Sequence, residues 1–390
     1  MGRFCPSPPG KFYVRDPSKV TYGMPTQEAS SRNTDARLRD MTLRVEREQQ
    51  EAGIPDLVGD LAAVIVSTEP GHFSGAVEEL LATTGYTATE GFRDAGRLQA
   101  ALLRCPGSAD LLLQARRVPH PAFSALATTP RARERPTTRL ETLVFSVQDL
   151  EEYVAIQRKR GVRFLSPDIL TMDRYRFIQT NPSRYTGNSL GFIEWEKGFQ
   201  GVYRPEGAVP LEGLPEKPDR PHLQRVGALD HAATRVRAEE RDPAIREFLS
   251  LTGYRFSFAI PVESQNSLTS VARRNPENFA MVFTSGITPF HDEATSGPTE
   301  VFIHRYGPRV HHLAFRTDEI RETVAALERG DLRFLDGMAG SEEEGIHQIF
   351  TLPSPHTMLV TEYIHRYGGF DGFFTEGNVA RLTAATARQE

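Results

Sequence analysis

One arrangement of strand and helix patterns occurs four times along the 390-residue chain, and this repetition restricts the fold more than any other feature. Each occurrence has an apolar or alternating strand segment, a helix with i, i+3, i+4 apolar spacing that ends at a glycine, and further strand segments. The opening strands of the four units read LAAVIVST, RLETLVFSV, RVGALDHAATRV and RVHHLAFRT. Single units of this kind cannot bury their apolar faces alone. The sequence therefore predicts an α+β chain of four βαβββ-type units that pair into two halves, each a curved mixed sheet enclosing a cavity.

Proline density marks the boundary between the halves. A chain of this length predicts two domains of roughly 150 residues each, and the stretch RPEGAVPLEGLPEKPDRPH favours an extended connector. We expect a polar N-terminal arm that includes an exposed helix, a first domain, a linker and a second domain that ends in a helix. The predicted boundaries are 1–57, 58–203, 204–222 and 223–390.

Composition excludes several classes of function. The chain is 39% hydrophobic and 25% charged with a net charge of −5, so it has no basic footprint for nucleic acid. It contains no apolar run long enough to span a membrane. Cys5 and Cys105 form neither a disulfide framework nor a cysteine-rich metal site. We expect a cytoplasmic protein that acts on a small molecule, and both a monomer and a homo-oligomer are compatible with the sequence.

Two adjacent histidines in the fourth opening strand are the first candidates for chemistry. Side chains alternate along a strand, so His311 and His312 are expected on opposite faces, with His312 inward. His231 occupies nearly the matching point of the third opening strand, and Glu362 lies in a late strand otherwise suited to burial. An unpaired carboxylate in such a strand is costly unless it is paired or ligated.

Two histidines and one carboxylate from three strands fit the facial triad that holds non-heme Fe(II) and leaves positions open for substrate and O2. The hypothesis is a metal site formed by His231, His312 and Glu362. Each of these residues alone is also compatible with a structural role, since histidines and strand glutamates often serve in cores and ion pairs. The first half has no histidine at the matching positions, so one site per chain is expected.

The second half resembles a known enzyme family. The segments LDH, YGPRVHHLAF, HQIFTLPSPHTMLVTEYIHR and GFFTEGN, in this order, resemble 4-hydroxyphenylpyruvate dioxygenase and its relative 4-hydroxymandelate synthase, of the vicinal oxygen chelate superfamily. The resemblance covers about residues 226–382, and the first half only as repeated architecture. It implies two glyoxalase-like domains, with the active site in the second and a C-terminal helix that acts as its lid.

The resemblance also implies a reaction and a set of site residues. Fe(II) would be held by the positions that match His231, His312 and Glu362. A 2-oxo acid would chelate the iron, and O2 would drive oxidative decarboxylation and hydroxylation of the same molecule, chemistry of aromatic amino acid metabolism. The implied substrate-binding positions are Ser270, Gln348, Phe350, Phe374, Asn378 and Val379.

Several positions depart from the family pattern. Val379 stands where the family has a phenylalanine, and His311 replaces a glutamine. A second family glutamine falls near Gly297, and an asparagine falls near Ser285 or Gly286. The family uses these polar groups to orient its phenol, and a site that discriminates by buried hydrogen bonds depends on them. The expected substrate is therefore an aryl or bulky 2-oxo acid rather than 4-hydroxyphenylpyruvate specifically.

Three alternatives stay open to a dioxygenase that hydroxylates its own 2-oxo acid substrate as 4-hydroxyphenylpyruvate dioxygenase does. The first is hydroxylation of the side chain of an arylpyruvate, as in hydroxymandelate synthase. The second is a metal-free protein of the same fold that binds a small molecule. The third is a divalent-metal isomerase or lyase, which would call for a fourth ligand. His347 and His365 are candidates for it by residue type, but strand alternation predicts that both point away from the pocket.

Overall fold

The computed structural model describes residues 35–94, 98–368, 370 and 372–387 of the chain. Most of the predicted N-terminal arm, including Cys5, lies outside these residues. Within them, no helix has the length and apolar character needed to cross a bilayer.

The helix predicted to be exposed is in fact docked. Helices α1 (Asp35–Glu51) and α2 (Ile54–Leu57) precede the first sheet. Leu38 and Val45 of α1 are buried in the main core. The Gln49 side-chain amide donates to backbone carbonyls at the end of a helix in the second half, among them Thr252, at 2.5 Å. The prediction of an exposed helix was wrong because the buried face of α1 includes the polar residues Thr42 and Gln49, while the apolar Leu43 is exposed, so the helix has no clear apolar pattern in its sequence.

The first half forms a nine-stranded sheet with helices on one side. Its elements are β1 (Val58–Thr68), α3 (Phe73–Thr83), β2 (Thr87–Asp94), β3 (Leu98–Arg104), β4 (Asp110–Arg116), α4 (Pro121–Ser124), α5 (Pro130–Glu134), β5 (Arg139–Val147), α6 (Leu150–Lys159), β6 (Leu170–Thr171), β7 (Tyr175–Gln179), β8 (Ser189–Trp195) and β9 (Val209–Pro210). The strand order is β6-β7-β8-β5-β1-β4-β3-β2-β9. The last strand comes from the Pro-rich stretch, which therefore extends the edge of this sheet.

The second half forms an eight-stranded sheet of the same design. Its elements are β10 (Val226–Arg235), α7 (Arg241–Leu251), β11 (Arg255–Val262), β12 (Ser267–Arg273), β13 (Ala280–Ser285), α8 (Pro298–Tyr306), β14 (Arg309–Thr317), α9 (Ile320–Glu328), β15 (Ala339–Ser341), β16 (Ile346–Phe350), β17 (Val360–Arg366) and α10 (Glu376–Thr386). The strand order is β11-β12-β13-β10-β14-β17-β16-β15. The sequence reading missed α8, whose first turn is Pro-Thr-Glu after Gly297.

Strand pairing confirms the four βαβββ units and their pairing into two halves. In each half the opening strands of the two units pair antiparallel, and each pairs parallel with the closing strand of its own unit. The registers match as well: Ala63 faces Val144 in the first half, as His231 faces Ala314 in the second. Each sheet is therefore a curved mixed sheet, as predicted.

One continuous core joins the two halves. The ring of Phe145 on β5 lies 6.1 Å from that of Phe248 on α7, and the ring of Tyr86 lies 5.9 Å from that of Phe315 on β14. The hydroxyl of Tyr363 donates to the carbonyl of Thr83 across the same boundary, at 2.9 Å. The concave face of the second sheet lines a separate cavity of mixed polar and apolar residues.

Candidate metal centre

The three predicted ligands lie on three adjacent strands at the centre of the second sheet. His231 of β10 pairs with Ala314 of β14, which in turn pairs with Glu362 of β17, so the three share one face. His312 lies two residues before Ala314 and faces the same side. The alanine between them has only a methyl group, which leaves room for the longer side chains to converge.

The ligand atoms converge on one point. Nε2 of His231 lies 3.1 Å from Oε2 of Glu362, and Nε2 of His312 lies 3.2 Å from the same oxygen. His231 and Glu362 are buried, and His312 is nearly so. Nε2 of His231 is buried and has no hydrogen-bond partner among the described residues. A buried imidazole nitrogen without a hydrogen-bond partner, beside a second imidazole and a carboxylate, fits a metal ion that would displace its proton.

Asp230 orients the first histidine. Its Oδ1 lies 2.8 Å from Nδ1 of His231, and Arg366 and Arg316 hold its two oxygens at 2.7 to 3.1 Å. A carboxylate that accepts Nδ1–H fixes the tautomer in which Nε2 carries the lone pair. Asp230 stands in the Leu-Asp-His segment of the sequence and was not predicted to belong to the site, although an acidic residue beside a ligand histidine is a signal for such a role.

A relay of amides orients the carboxylate. The side-chain amide of Gln348 on β16 donates to Oε1 of Glu362 at 2.6 Å, and the amide of Asn378 on α10 donates to the carbonyl oxygen of Gln348 at 2.9 Å. Oε1 is thereby engaged and Oε2 stays directed at the two imidazoles. The relay connects the C-terminal helix to the ligand set.

Electrostatics leave one replaceable proton in this cluster. Burial acts to lower the pKa of His231, but Glu362 and Asp230 outweigh it and raise that pKa to about 9. Burial acts to raise the pKa of Glu362, but the two imidazoles outweigh it and lower that pKa to about 2. Burial lowers the pKa of His312, and contact with Glu362 offsets only part of this. Near neutral pH the metal-free cluster therefore holds its proton on His231, where a metal would displace it.

The prediction that His311 faces away from His312 was wrong. The pairing of β10 with β14 steps from Ala233–His312 to Thr234–Val310, which leaves His311 as the extra residue of a β-bulge. The bulge turns both imidazoles toward one cavity, with their Nδ1 atoms 2.9 Å apart. The first sheet has the same bulge at Glu141.

The cavity beside the triad contains most of the predicted pocket residues. Gln348, Phe350, Phe374 and Val379 line it. The Phe350 ring lies 4.7 Å from that of His312, and the Phe374 ring lies 5.3 Å from that of His231. The other lining residues are Arg235, Thr269, Val282, Thr284, Thr299, His311, Leu382, Thr383 and Thr386. Helix α10 therefore forms one wall of the cavity.

Two predicted substrate contacts lie elsewhere. Ser270 does not line the cavity: it pairs with Phe283, whose ring belongs to the main core, and Thr269 on the next position faces the cavity instead. The buried hydroxyl of Ser270 has no hydrogen-bond partner among the described residues. Asn378 is also fully buried and lies behind Gln348 rather than at the cavity wall. A one-residue offset in aligning a strand moves a side chain to the other face, which accounts for the error at Ser270.

Solved structures with similar folds show which architecture this is. A triple-substituted variant of 4-hydroxymandelate synthase from Streptomyces coelicolor matches with a TM-score of 0.63 at 19% identity, covering 85% of this chain and 99% of that one. A xylose isomerase-like TIM barrel/4-hydroxyphenylpyruvate dioxygenase fusion protein matches with a TM-score of 0.59 at 16% identity, covering 90% of this chain and 57% of that one. The fold is that of the two-domain vicinal oxygen chelate proteins. No protein-family model and no curated protein matches the chain, and identities this low show the fold alone.

Within this vicinal oxygen chelate fold, the two halves differ at the ligand positions. Register equivalence places Ala63, Thr142 and Gly191 of the first half where the second half has His231, His312 and Glu362. These three residues offer neither an imidazole nor a carboxylate. The repeated fold thus carries the ligand set in its second half.

The remaining histidines of the second sheet have other partners. His347 lies 3.0 Å from the Arg321 guanidinium and 2.7 Å from the Tyr367 hydroxyl. His365 contacts the carbonyl of Thr317 at 2.8 Å. Neither belongs to the cluster of potential ligands, which among the described residues consists of the triad alone.

Proposed function

We propose that the chain is an Fe(II)- and O2-dependent dioxygenase that oxidatively decarboxylates an aryl or bulky 2-oxo acid and hydroxylates the same molecule. The observation that carries the proposal is the convergence of His231, His312 and Glu362, with a buried Nε2 that has no hydrogen-bond partner among the described residues, beside a cavity. The similarity to dioxygenase and synthase structures supports this choice among the functions that the fold can host.

The donor set favours iron over other metals. Two imidazoles and one carboxylate on one side of the ion are the ligands of non-heme Fe(II) oxygenases, and the absence of thiolates and of a fourth described protein ligand argues against a closed zinc site. When bound, Fe(II) supplies the open positions at which a 2-oxo acid and O2 react. His231, His312 and Glu362 would hold it.

The residues around the triad would set its geometry and exclude water. Asp230 keeps Nε2 of His231 free of its proton when the metal binds, and Gln348 keeps one carboxylate oxygen of Glu362 directed inward. Phe350 and Phe374 cover the two imidazoles with apolar surface. A dry site of this kind directs the oxidising chemistry to the bound substrate and limits side reactions.

Helix α10 would act as the lid. Val379, Leu382, Thr383 and Thr386 face the cavity, and Asn378 ties the first turn of the helix to the ligand relay. Movement of α10 would therefore open the cavity and release Gln348 at the same time. Side-chain hydroxylation, as in 4-hydroxymandelate synthase, uses the same parts and is the alternative outcome that the product would distinguish.

The test is anaerobic reconstitution with Fe(II), followed by measurement of O2 uptake and CO2 release. The substrates would be 4-hydroxyphenylpyruvate, phenylpyruvate and aliphatic 2-oxo acids, without added 2-oxoglutarate. We expect equimolar O2 uptake and CO2 release with at least one acid, and loss of both in Glu362→Gln. A Glu362→Gln variant with undiminished turnover, or iron binding that does not involve the triad, would overturn the proposal.

A further inference from the structure

A second cavity, of about 330 Å³, lies beside the proposed active site. Helix α8 supplies Val301, Phe302 and Tyr306 to its wall, and Thr386 at the end of α10 lines both cavities. Arg309, the first residue of β14, also lines the second cavity. The wall therefore combines apolar and aromatic surface with a guanidinium group.

Arg309 is buried and has no carboxylate partner among the described residues. Its exposed fraction is 6%. Its Nη2 donates to the carbonyl of Thr138 across the boundary between the halves, and its Nη1 lies 3.9 Å from Sδ of Met358. Among the described residues of the wall Glu293 alone is acidic, and Arg305 holds its two oxygens at 2.7 and 2.8 Å. The charge of Arg309 is thus not neutralised by any described side chain of the cavity.

A second buried arginine adds to this charge. Arg139 opens β5 as Arg309 opens β14, and Arg309 bonds to the residue immediately before Arg139. Arg139 is 5% exposed, its two Nη atoms donate to backbone carbonyls at 3.3 Å, and its buried Nε has no hydrogen-bond partner among the described residues. The carboxylate that acts on Arg139 is that of Glu141, whose Oε1 already accepts from Nη2 of Arg116 at 2.8 Å. Two cations therefore lie close together at the boundary between the halves.

Both guanidinium groups stay charged near neutral pH. Burial and the neighbouring Arg139 lower the pKa of Arg309 to about 9, and burial lowers the pKa of Arg139 to about 10. Buried charges of one sign are costly unless an opposite charge lies beside them. Met358, which contacts Arg309, has a φ of 61°, a conformation that non-glycine residues rarely adopt outside sites with a function. A bound anion would supply the missing negative charge.

We propose that the second cavity binds a small organic anion, separate from the substrate, whose carboxylate pairs with Arg309 and whose apolar body packs against Val301, Phe302 and Tyr306. The planar guanidinium fork matches the two oxygens of a carboxylate. A cavity with apolar and aromatic walls and one charged group is typical of sites for such ligands. The bound anion would also contact Thr386, at the end of the helix proposed as the lid. The site uses none of the metal ligands, so this proposal does not depend on the reaction proposed above.

Binding of a matched acid and amide tests the site. The probes are 2-naphthoate and its uncharged analogue 2-naphthamide, titrated calorimetrically into the full chain, first without metal and then anaerobically with Fe(II). A charge-assisted hydrogen bond in a buried site predicts that the acid binds about ten- to a hundredfold more tightly than the amide. Arg309→Gln should remove this preference, and Arg309→Lys should keep part of it because the charge remains and the fork is lost. Arg160→Gln is the matched control, since Arg160 also donates to a carbonyl across the boundary, that of Ser250 at 2.9 Å, but lines a different cavity.

A second variant decides the matter if Arg309→Gln does not fold. Val301→Trp fills the cavity from the half-buried face of α8 and should abolish binding of the acid and of the amide while Arg309 stays in place. Equal affinities of the unsubstituted protein for the acid and the amide would overturn the site, and so would an acid preference that survives in folded Arg309→Gln or undiminished binding in Val301→Trp.

Competition on the Fe(II) protein separates this site from the active-site cavity. Saturating phenylpyruvate should not displace 2-naphthoate, because the two ligands are assigned to different cavities. Displacement would place the acid in the active-site cavity and overturn a separate site. If phenylpyruvate and the other 2-oxo acids do not bind but 2-naphthoate binds and depends on Arg309, the proposed reaction fails and the second site stands.

Discussion

Replacing Asp230 with asparagine would test how the ligand set is held. Asp230 is 1% exposed and accepts hydrogen bonds from four directions: one from His231 at 2.8 Å, two from Arg366 at 2.7 and 3.0 Å, and one from Arg316 at 3.1 Å. All these partners are donors. The amide of asparagine would present a donor to at least one of them, so either the tautomer of His231 or the position of Arg366 must change.

The size of the effect follows from these contacts. Loss of the group that orients a ligand histidine typically lowers metal affinity ten- to a hundredfold, or by about 1.4 to 2.7 kcal/mol. Arg366 is 20% exposed at its side chain and would lose its counter-charge. Breaking such a pair costs on the order of 3 kcal/mol of unfolding free energy in the metal-free protein. Asp230→Asn should thus weaken metal binding and stability together.

Two assays separate these effects. Fe(II) or Co(II) affinity is measured by competition with a chromophoric chelator, and the unfolding free energy of the metal-free protein by urea titration. Arg316→Gln is the matched control, since Arg316 has a side-chain exposure of 43% and its pairing with Asp230 is worth less than about 1 kcal/mol. A metal affinity of Asp230→Asn within twofold of the unsubstituted protein would refute the role assigned to Asp230, and so would an equally large effect in Arg316→Gln.

Three further outcomes are expected. The pKa of His231 is raised from 6.5 to about 9, so in the metal-free protein the stabilisation from its charge is present below pH 6.5 and lost between pH 6.5 and 9. Because a metal must displace this proton, metal affinity should rise by about tenfold per pH unit toward pH 9. A constant metal affinity between pH 7 and 9 would contradict this prediction. Gln348→Ala should lower metal affinity by about tenfold, and Asn378→Ala should lower it by less, because Asn378 contacts Glu362 only through Gln348. Chelator competition measures the metal affinities of both variants, and a larger loss in Asn378→Ala than in Gln348→Ala would contradict the relay. Ser270→Ala should leave ligand affinity unchanged, and the urea midpoint should be unchanged or higher, because the Ser270 hydroxyl is buried without a hydrogen-bond partner among the described residues. A selective loss of ligand binding in this variant would show that Ser270 contacts the ligand.

Much of the site could be inferred from local patterns. The period-two alternation of β10, β14 and β17 predicts that His231, His312 and Glu362 are inward polar residues, and the repeat predicts which strands meet. The same alternation starting at His231 reaches Ala233 and then Arg235, so the cation was available to sequence reasoning and was overlooked. His311 was misplaced, because a β-bulge is a property of the pairing between two strands and leaves no mark in either strand alone.

The sequence by itself determined the four βαβββ units, their pairing into two halves and the positions of the polar residues along the central strands, because these depend on periodicities that each segment carries locally. Tertiary structure decided what those residues contact. It joined Asp230 to Arg366 across 136 positions of the chain and Asn378 to Gln348 across 30. It also docked α1 on the second half and placed Arg235 in the cavity beside His311. These outcomes depend on register, bulges and long-range packing, where a shift of one residue reverses the face that a side chain presents.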